Sequence, residues 1–146
     1  MIAWYAFQLS QSQMALIQAR RRREAGLAAF AGALAALVFG PIVIGALVAG
    51  IDAGRTYIDW PLMNGQVLPP EPWMFEPAWR NFFENAGLVQ FVHRMWAYAL
   101  LIVAVVLWQR ARRSPIMAVR RGIDWASVAL FAQVVLGIVT LIHASP

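Results

Sequence analysis

Three long apolar blocks constrain the fold of this chain more than any other feature of its sequence. They cover residues 26–51, 86–108 and 124–143, and the second block is interrupted by two basic residues, His93 and Arg94. A helix of about 20 apolar residues crosses the ~30 Å hydrocarbon core of a bilayer, and a segment in lipid must satisfy its own backbone hydrogen bonds. The blocks therefore predict an all-α fold: a polytopic membrane helical bundle with three full transmembrane helices.

The composition agrees with a membrane protein and argues against a soluble or disordered one. Hydrophobic residues make up 61% and charged residues 13% of the chain, against roughly 25% charged in ordinary soluble domains. All twelve basic residues are arginines that cluster between the apolar blocks, so membrane topology explains them better than nucleic-acid binding does. The lack of cysteine excludes disulfides, thiolate metal sites and a cysteine nucleophile.

The charges of the connecting segments predict an orientation. Residues 1–25 carry a net charge of +3, residues 52–85 one of −3, and residues 109–123 one of +5. Under the positive-inside rule the two arginine-rich segments face the cytoplasm and the acidic loop lies on the outer side. We interpret residues 1–23 as a truncated amino-terminal helix leading into a basic cytoplasmic segment, with a short interfacial helix as the alternative. Residues 1–146 then form a single transmembrane domain.

Small and polar residues predict which helix faces pack against protein. Gly32, Ala36 and Gly40 recur every four residues in the first span, a spacing that lets helix backbones approach closely. Pro41 predicts a kink in the same span. A polar stripe in the third span predicts a face that packs on other helices or on a cofactor. Its members are Gln133, Gly137 and Thr140.

The acidic loop, residues 52–85, is unusually aromatic. It contains five prolines, three tryptophans and three phenylalanines. Tryptophan is enriched where proteins meet the headgroup region of a membrane, so we expect these rings to lie at that level. Two interpretations stay open: an interfacial lid that covers the helix ends, and a roof over a ligand site in the outer leaflet.

His93 and Arg94 are functional candidates because ionisable residues inside a span are usually functional. His93 has three interpretations: a polar residue hydrogen-bonded between helices, a proton relay, or an axial haem ligand in an apolar pocket. Zinc is disfavoured because no cluster of ligands accompanies the histidine. Gln90 shares its helix face at i−3. Arg94 either snorkels to the outer surface or pairs with a haem propionate.

His143 is the second histidine of the chain and lies at the outer end of the third span. Two histidines at similar depth on different helices are able to ligate one haem, so His143 is a candidate second iron ligand. The simpler interpretation, which we favour, is an interfacial residue at the end of a helix.

Several motifs in order resemble one family. They are GALVAGIDAGRTYIDWPLMNGQVLPP, PAWRNFFEN, VQFVHRMWAY and AQVVLGIVTL, and together they cover about residues 37–142. The chain resembles the carboxy-terminal half of heme A synthase.

The resemblance implies one half of a pseudo-symmetric eight-helix protein of the cell inner membrane, with the aromatic loop on the periplasmic side. It implies an oxidoreductase that converts a methyl group of haem O to the formyl group of haem A. By resemblance, His93 falls on an axial haem ligand, and this half holds haem b as cofactor. The implied partners are membrane lipid, the missing half of the enzyme or another copy, the farnesyltransferase that produces haem O, and cytochrome oxidase assembly; nucleic acid is not among them.

Three departures from the family pattern bear on function. Val92 stands where the family usually has aspartate. The family's second histidine follows a proline like Pro146, and this sequence ends at that proline. The amino-terminal half is also absent, so we expect the chain to be a fragment. His143 stands where the family usually has an apolar residue, so the resemblance does not support it as a ligand. The alternative function is a non-catalytic haem b-binding membrane module or an inactive truncated fragment.

Overall fold

A computed structural model describes residues 25–143 of the chain, with Met14 and Ile17 before them. The predicted partial helix over residues 1–23 therefore lies outside the described residues. Within them the fold is all-helical, as predicted, with an isolated β-bridge between Met63 and Gln66 as its one piece of strand pairing. The four α-helices of this part are α1, Ala25–Gly50, α2, Asn81–Glu84, α3, Ala86–Ala111, and α4, Met117–Ile142.

Helices α1, α3 and α4 are each long and apolar enough to cross a membrane. Helix α4 begins at Met117 and so includes Arg120 and Arg121, which the charge pattern assigns to a loop. Helix α3 likewise continues to Ala111. The helical backbone thus extends beyond the apolar blocks at this end, because arginine is as good a helix former as most apolar residues. The connection is short, and the Ser114 Oγ accepts a 3.1 Å hydrogen bond from the Ile116 N–H.

Helix α3 is the central element of the described bundle. It packs against both α1 and α4, whereas α1 and α4 have no comparable contact with each other in this part of the chain. Its buried residues recur every three or four positions along the half nearest its carboxyl end, which is the spacing of one helix face. They are Leu100, Ala104, Leu107 and Ala111.

Pro41 leaves a carbonyl of α1 without its usual donor, and a side chain of α3 supplies one. Proline has no N–H, so the carbonyl of Leu37, four residues earlier, has no partner of the usual kind in α1. The Trp96 indole N–H donates to that carbonyl at 3.0 Å. Gly40 makes room for the indole, because a Cβ at this glycine would lie 2.5 Å from Trp96 ring carbons. A neighbouring helix thus satisfies the carbonyl that Pro41 leaves free, as membrane interiors require.

The predicted small-residue row is confirmed at Gly40 and not at Gly32, where an added Cβ would lie more than 4 Å from any described atom of a neighbouring element. Close packing in α1 is instead continued by Gly45. The polar stripe of α4 is exposed, and the Thr140 hydroxyl donates to the Leu136 carbonyl of its own helix. The expectation that this face packs on other helices is therefore not met by the described residues of this chain.

Candidate functional site at the loop end of the helices

Gln90 and Arg94 hold the aromatic loop against α3. The Gln90 Nε2 and the Arg94 Nη2 both donate to the Tyr57 carbonyl at 2.9 Å. The Arg94 Nη1 donates to the Leu62 carbonyl, also at 2.9 Å. Both side chains are buried, at 3% and 8% exposure, and hydrogen bonds from a charged donor to buried carbonyls are among the stronger ones. Two of the three predicted cofactor-binding residues, Gln90 and Arg94, therefore donate to the same backbone oxygen of the loop.

Arg94 keeps donors beyond these two bonds. Its Nε is buried and has no hydrogen-bond partner among the described residues, and each terminal nitrogen of a guanidinium carries a second N–H. Its guanidinium points into the loop, and does not snorkel freely to the surface.

His93 packs against α1. A Cβ placed on Gly45 would lie 3.2 Å from the His93 Cε1, so the glycine gives the imidazole its space. The ring is half-buried, and within the described structure its Nδ1 is enclosed without a hydrogen-bond partner. Leaving a buried polar atom unpaired costs about 1–3 kcal/mol. The imidazole therefore offers a nitrogen that the described residues do not use.

Val92 faces an apolar cavity. The cavity has a volume of about 350 Å³ and lies along α3 beside the first half of α1. Its lining consists of Leu37, Phe91, Val92, Met95, Trp96, Ala99, Leu100 and Val103. An aspartate in place of Val92 would put a carboxylate against this apolar lining, at a cost.

Two asparagines fix the second half of the loop. Asn81 is fully buried; its Oδ1 accepts from the N–H groups of Met74 and Phe75, both at 2.9 Å, and its Nδ2 donates to the Phe75 and Ala78 carbonyls. Asn85 caps α3 by accepting from the Leu88 N–H at 3.1 Å. The Nδ2 of Asn85 donates to the Glu71 carbonyl at 2.8 Å. The loop thus has a defined structure although it has few residues in regular elements.

A tight turn shapes the first half of the loop. Asn64 and Gly65 both have positive φ, 53° and 75°, the combination that a two-residue type I′ turn requires. The Asp59 Oδ2 accepts from the Gly65 N–H at 3.2 Å. Hydrogen bonding from the Asn64 backbone, and more weakly from that of Gly65, holds the pKa of Asp59 below its ordinary value.

The loop also reaches the middle of α3. The Trp60 indole N–H donates to the Tyr98 hydroxyl at 3.0 Å. Near the start of the helix, Gly87 gives room to the loop, since a Cβ there would lie 3.0 Å from the Tyr57 ring. Other loop rings stay exposed, Trp73 at 62% and Trp79 at 61%; their position at the headgroup level stays a prediction.

His143 is not brought to His93 by any contact in the described residues. It is exposed at the end of α4, and its Nδ1 lies 2.8 Å from the Val139 carbonyl of the same helix. A second-ligand role for His143 stays an untested prediction.

Several residues of this site were missed by sequence reasoning. Tyr57 contributes through its carbonyl, which no sequence pattern reveals. Gly45 lies outside the four-residue rows. Asn85 did carry a signal, because an asparagine directly before an apolar run is typical of a helix start.

A comparison of the sequence with known protein families identifies the family of this chain. Residues 1–146 match the family described as cytochrome oxidase assembly protein. The chain belongs to this family. Together with the three apolar helices, membership makes it an integral membrane protein.

Curated relatives in the family carry a more specific name. The chain is 55% identical to the heme A synthase of Dinoroseobacter shibae, 53% identical to that of Ruegeria pomeroyi and 52% identical to that of Paracoccus denitrificans, over 146 residues each. Each match covers 100% of this chain and 38% of the relative. No solved structure matches.

Proposed function

We propose that this chain is the haem-binding region of a heme A synthase, with His93 as an axial ligand of haem b. The single observation that carries the proposal is the imidazole of His93, which is half-buried between α1 and α3 with its Nδ1 unpaired among the described residues. Family membership directs that observation towards haem, because the relatives are named for haem A synthesis.

The residues present fit such a group. A neutral imidazole in an apolar setting is the usual proximal ligand of haem iron. Gly45 keeps the ring free of a side chain from α1. Clusters of several histidine or acidic ligands, which would favour another metal, are absent from the described residues. The bound haem would supply the redox chemistry, and the protein would supply ligation, burial and access.

Gln90 and Arg94 would act on this site by holding the loop over it. Their bonds to the Tyr57 and Leu62 carbonyls place the loop at the end of α3 that carries His93. The remaining N–H groups of Arg94 are suited to a haem propionate, since arginine pairs well with carboxylates. We therefore propose Arg94 as a loop anchor first and a propionate partner second.

The proposed reaction of the complete enzyme is the oxidation of a methyl group of haem O to the formyl group of haem A. The chain corresponds to 38% of its relatives, so we propose that the rest of the enzyme, or another copy, supplies the second ligand and the substrate haem. The exposed polar stripe of α4 is suited to such a partner. The haem O-producing farnesyltransferase and the machinery of cytochrome oxidase assembly are proposed as further partners.

We further propose that the aromatic loop faces the periplasm and the arginine-rich ends face the cytoplasm of an inner membrane. The support is the net charge of −3 in residues 52–85 against +5 in residues 109–123.

A haem titration followed by a reduced-minus-oxidised absorption spectrum tests the ligand. The detergent-purified full chain is compared with His93→Ala and with His143→Ala as the matched control. We expect a haem b signal in the wild type and in His143→Ala, and its loss in His93→Ala. An unchanged signal in His93→Ala would contradict the assignment.

A chimera tests the reaction. This chain replaces the matching region of the Dinoroseobacter shibae enzyme, and extracted haems are separated by chromatography. We expect haem A from the chimera and only haem O from the same chimera with His93→Ala. If the chimera is inserted in the membrane but makes no haem A, the proposed enzymatic role is wrong.

A further inference from the structure

A second pocket lies at the end of the bundle opposite to His93. It sits where α1 begins and α3 ends, and its volume is about 330 Å³. Its lining residues are Gly26, Leu27, Phe30, Arg110, Arg113 and Ser114. It shares no residue with the site around His93 and the loop, so it needs a separate explanation.

The pocket is basic. Arg110 and Arg113 line it, and no acidic side chain among the described residues does. In the part of the chain that the structure describes, the one ion pair is Arg80–Glu84, which belongs to the loop at the other end. The nearest acid along α4, Asp124, accepts a hydrogen bond from the Trp108 indole at 2.8 Å. Neither lining arginine therefore has a carboxylate partner among the described residues.

The sequence before α1 is also basic. Residues 20–24, directly before Ala25, are four arginines and one glutamate, with a net charge of +3. The arginine content of this end of the bundle is therefore high on both sides of the pocket in the sequence.

The pocket also has an apolar wall. Leu27 and Phe30 lie on it, and the Arg110 guanidinium carbon stands 5.0 Å from the centre of the Phe30 ring. Stacking of this kind holds the guanidinium in place with its N–H groups free at the edges. A pocket lined by both arginines and apolar side chains fits an amphiphile better than a soluble anion.

We propose that this pocket binds the phosphate headgroup of an anionic phospholipid, with Arg110 and Arg113 on the phosphate and the first part of an acyl chain along Leu27 and Phe30. Basic pockets between transmembrane helices at the arginine-rich side are the type of site that such lipids occupy. The proposal is independent of haem binding, because it uses neither His93 nor the loop.

Native mass spectrometry of the full chain, released from nanodiscs that contain phosphatidylglycerol and phosphatidylcholine in equal parts, tests the proposal. The variant is Arg110→Gln with Arg113→Gln. The matched control is Arg120→Gln with Arg121→Gln, which removes the same charge at the same end without touching the pocket lining. We expect retained phosphatidylglycerol in the wild type and the control, and a loss of affinity of about 30-fold in the lining variant, from about 1 kcal/mol per arginine.

Two further measurements distinguish a bound phospholipid from free phosphate and from diffuse charge attraction. Millimolar inorganic phosphate should leave the bound lipid in place; if it displaces the lipid, the pocket recognises phosphate alone and the lipid proposal fails. Equal retention of phosphatidylcholine, or an equal loss in the control, would mean diffuse attraction and would also overturn it. Should the double variant not fold, Arg113→Gln alone is expected to weaken retention about fivefold, and an unchanged affinity would contradict the proposal.

Discussion

Single residues decide how α1 and α3 meet. Pro41 has no N–H, so the Leu37 carbonyl, four residues earlier in α1, lacks its usual hydrogen-bond donor. The Trp96 indole N–H of the neighbouring helix donates to this carbonyl instead. The sequence predicted a kink at Pro41, which stays a prediction, but it did not predict this hydrogen bond, because a tryptophan in an apolar span gives no sign of which carbonyl its N–H will reach.

Trp96→Phe should lower the free energy of unfolding by about 0.5–1.5 kcal/mol, since it removes an interhelical hydrogen bond in a membrane setting. Unfolding of the detergent-purified chain in SDS measures the change. Trp125→Phe is the control, because Trp125 is 75% exposed. In a Pro41→Ala background the substituted residue supplies its own N–H to Leu37, so the cost of Trp96→Phe should fall; an equal cost in both backgrounds would contradict this account.

Gly45→Ala should weaken haem binding, because the new Cβ would lie 3.2 Å from the His93 ring and push the imidazole aside. Overpacking of this kind costs about 1–3 kcal/mol. A haem titration of the detergent-purified chain measures it, with Gly32→Ala as the control in a position with open space. Equal affinities of the two variants would show that the His93–Gly45 contact does not position the ligand.

At the scale of elements, the loop is more ordered than its sequence pattern predicted. Its composition predicted an interfacial lid or roof, and the exposed Trp73 and Trp79 agree with an interfacial position. Its internal order comes from polar side chains, mainly Asn81 within the loop and Gln90 and Arg94 from α3. Such bonds to backbone atoms depend on the path of the chain, which periodicity does not encode.

Asn81→Ala should loosen the loop, because it removes the hydrogen-bond partner of the Met74 and Phe75 N–H groups and of the Phe75 and Ala78 carbonyls. The loss should be about 2–4 kcal/mol at a fully buried site of this kind. Limited proteolysis in detergent measures it as faster cleavage in the loop. Gln66→Ala is the control, since the Gln66 hydrogen bonds to Met63 are backbone bonds, and rapid cleavage of both variants would point to a general loss of structure.

The loop should also lose stability in acid. Backbone hydrogen bonds hold the pKa of Asp59 below its ordinary value, so its stabilising effect is complete above about pH 5 and is lost as the pH falls through the lowered pKa, below about pH 4. The measurement is the stability difference between wild type and Asp59→Asn as a function of pH. That difference should shrink in acid, and a difference that stays constant as the pH falls below about 4 would contradict the role of the Asp59 carboxylate.

At the scale of the whole molecule, the described bundle leaves much of α1 and α4 uncovered. None of the most apolar stretch of either helix is buried, against 22% for α3. Lipid covers apolar faces without cost, but the polar stripe of α4 needs a protein or cofactor partner. This is the physical ground for proposing that the rest of the enzyme, or a second copy, packs on α4.

Single-cysteine labelling tests the proposed orientation, and the cysteine-free sequence makes it direct. Val67→Cys in the loop and Met117→Cys at the start of α4 place thiols at exposed positions, 71% and 55% exposed. In intact cells an impermeant maleimide should label the first and reach the second only after permeabilisation. The reverse labelling pattern would show that the orientation is opposite to the proposed one.

By itself, the sequence determined the class of the protein, the three candidate spans of the described residues and the unusual composition of the loop, and it made His93 a candidate functional residue. The length of an apolar segment and the charge of a loop are properties of the local sequence, so they can be predicted without knowledge of the tertiary structure. Only the tertiary structure decided that Gln90 and Arg94 meet at the Tyr57 carbonyl, that His93 turns to Gly45, and that α1 and α3 enclose a basic pocket at their other end. These contacts join residues that are far apart in the sequence. They depend on backbone atoms and on the space beside glycines, so the spacing of residues in the sequence does not predict them.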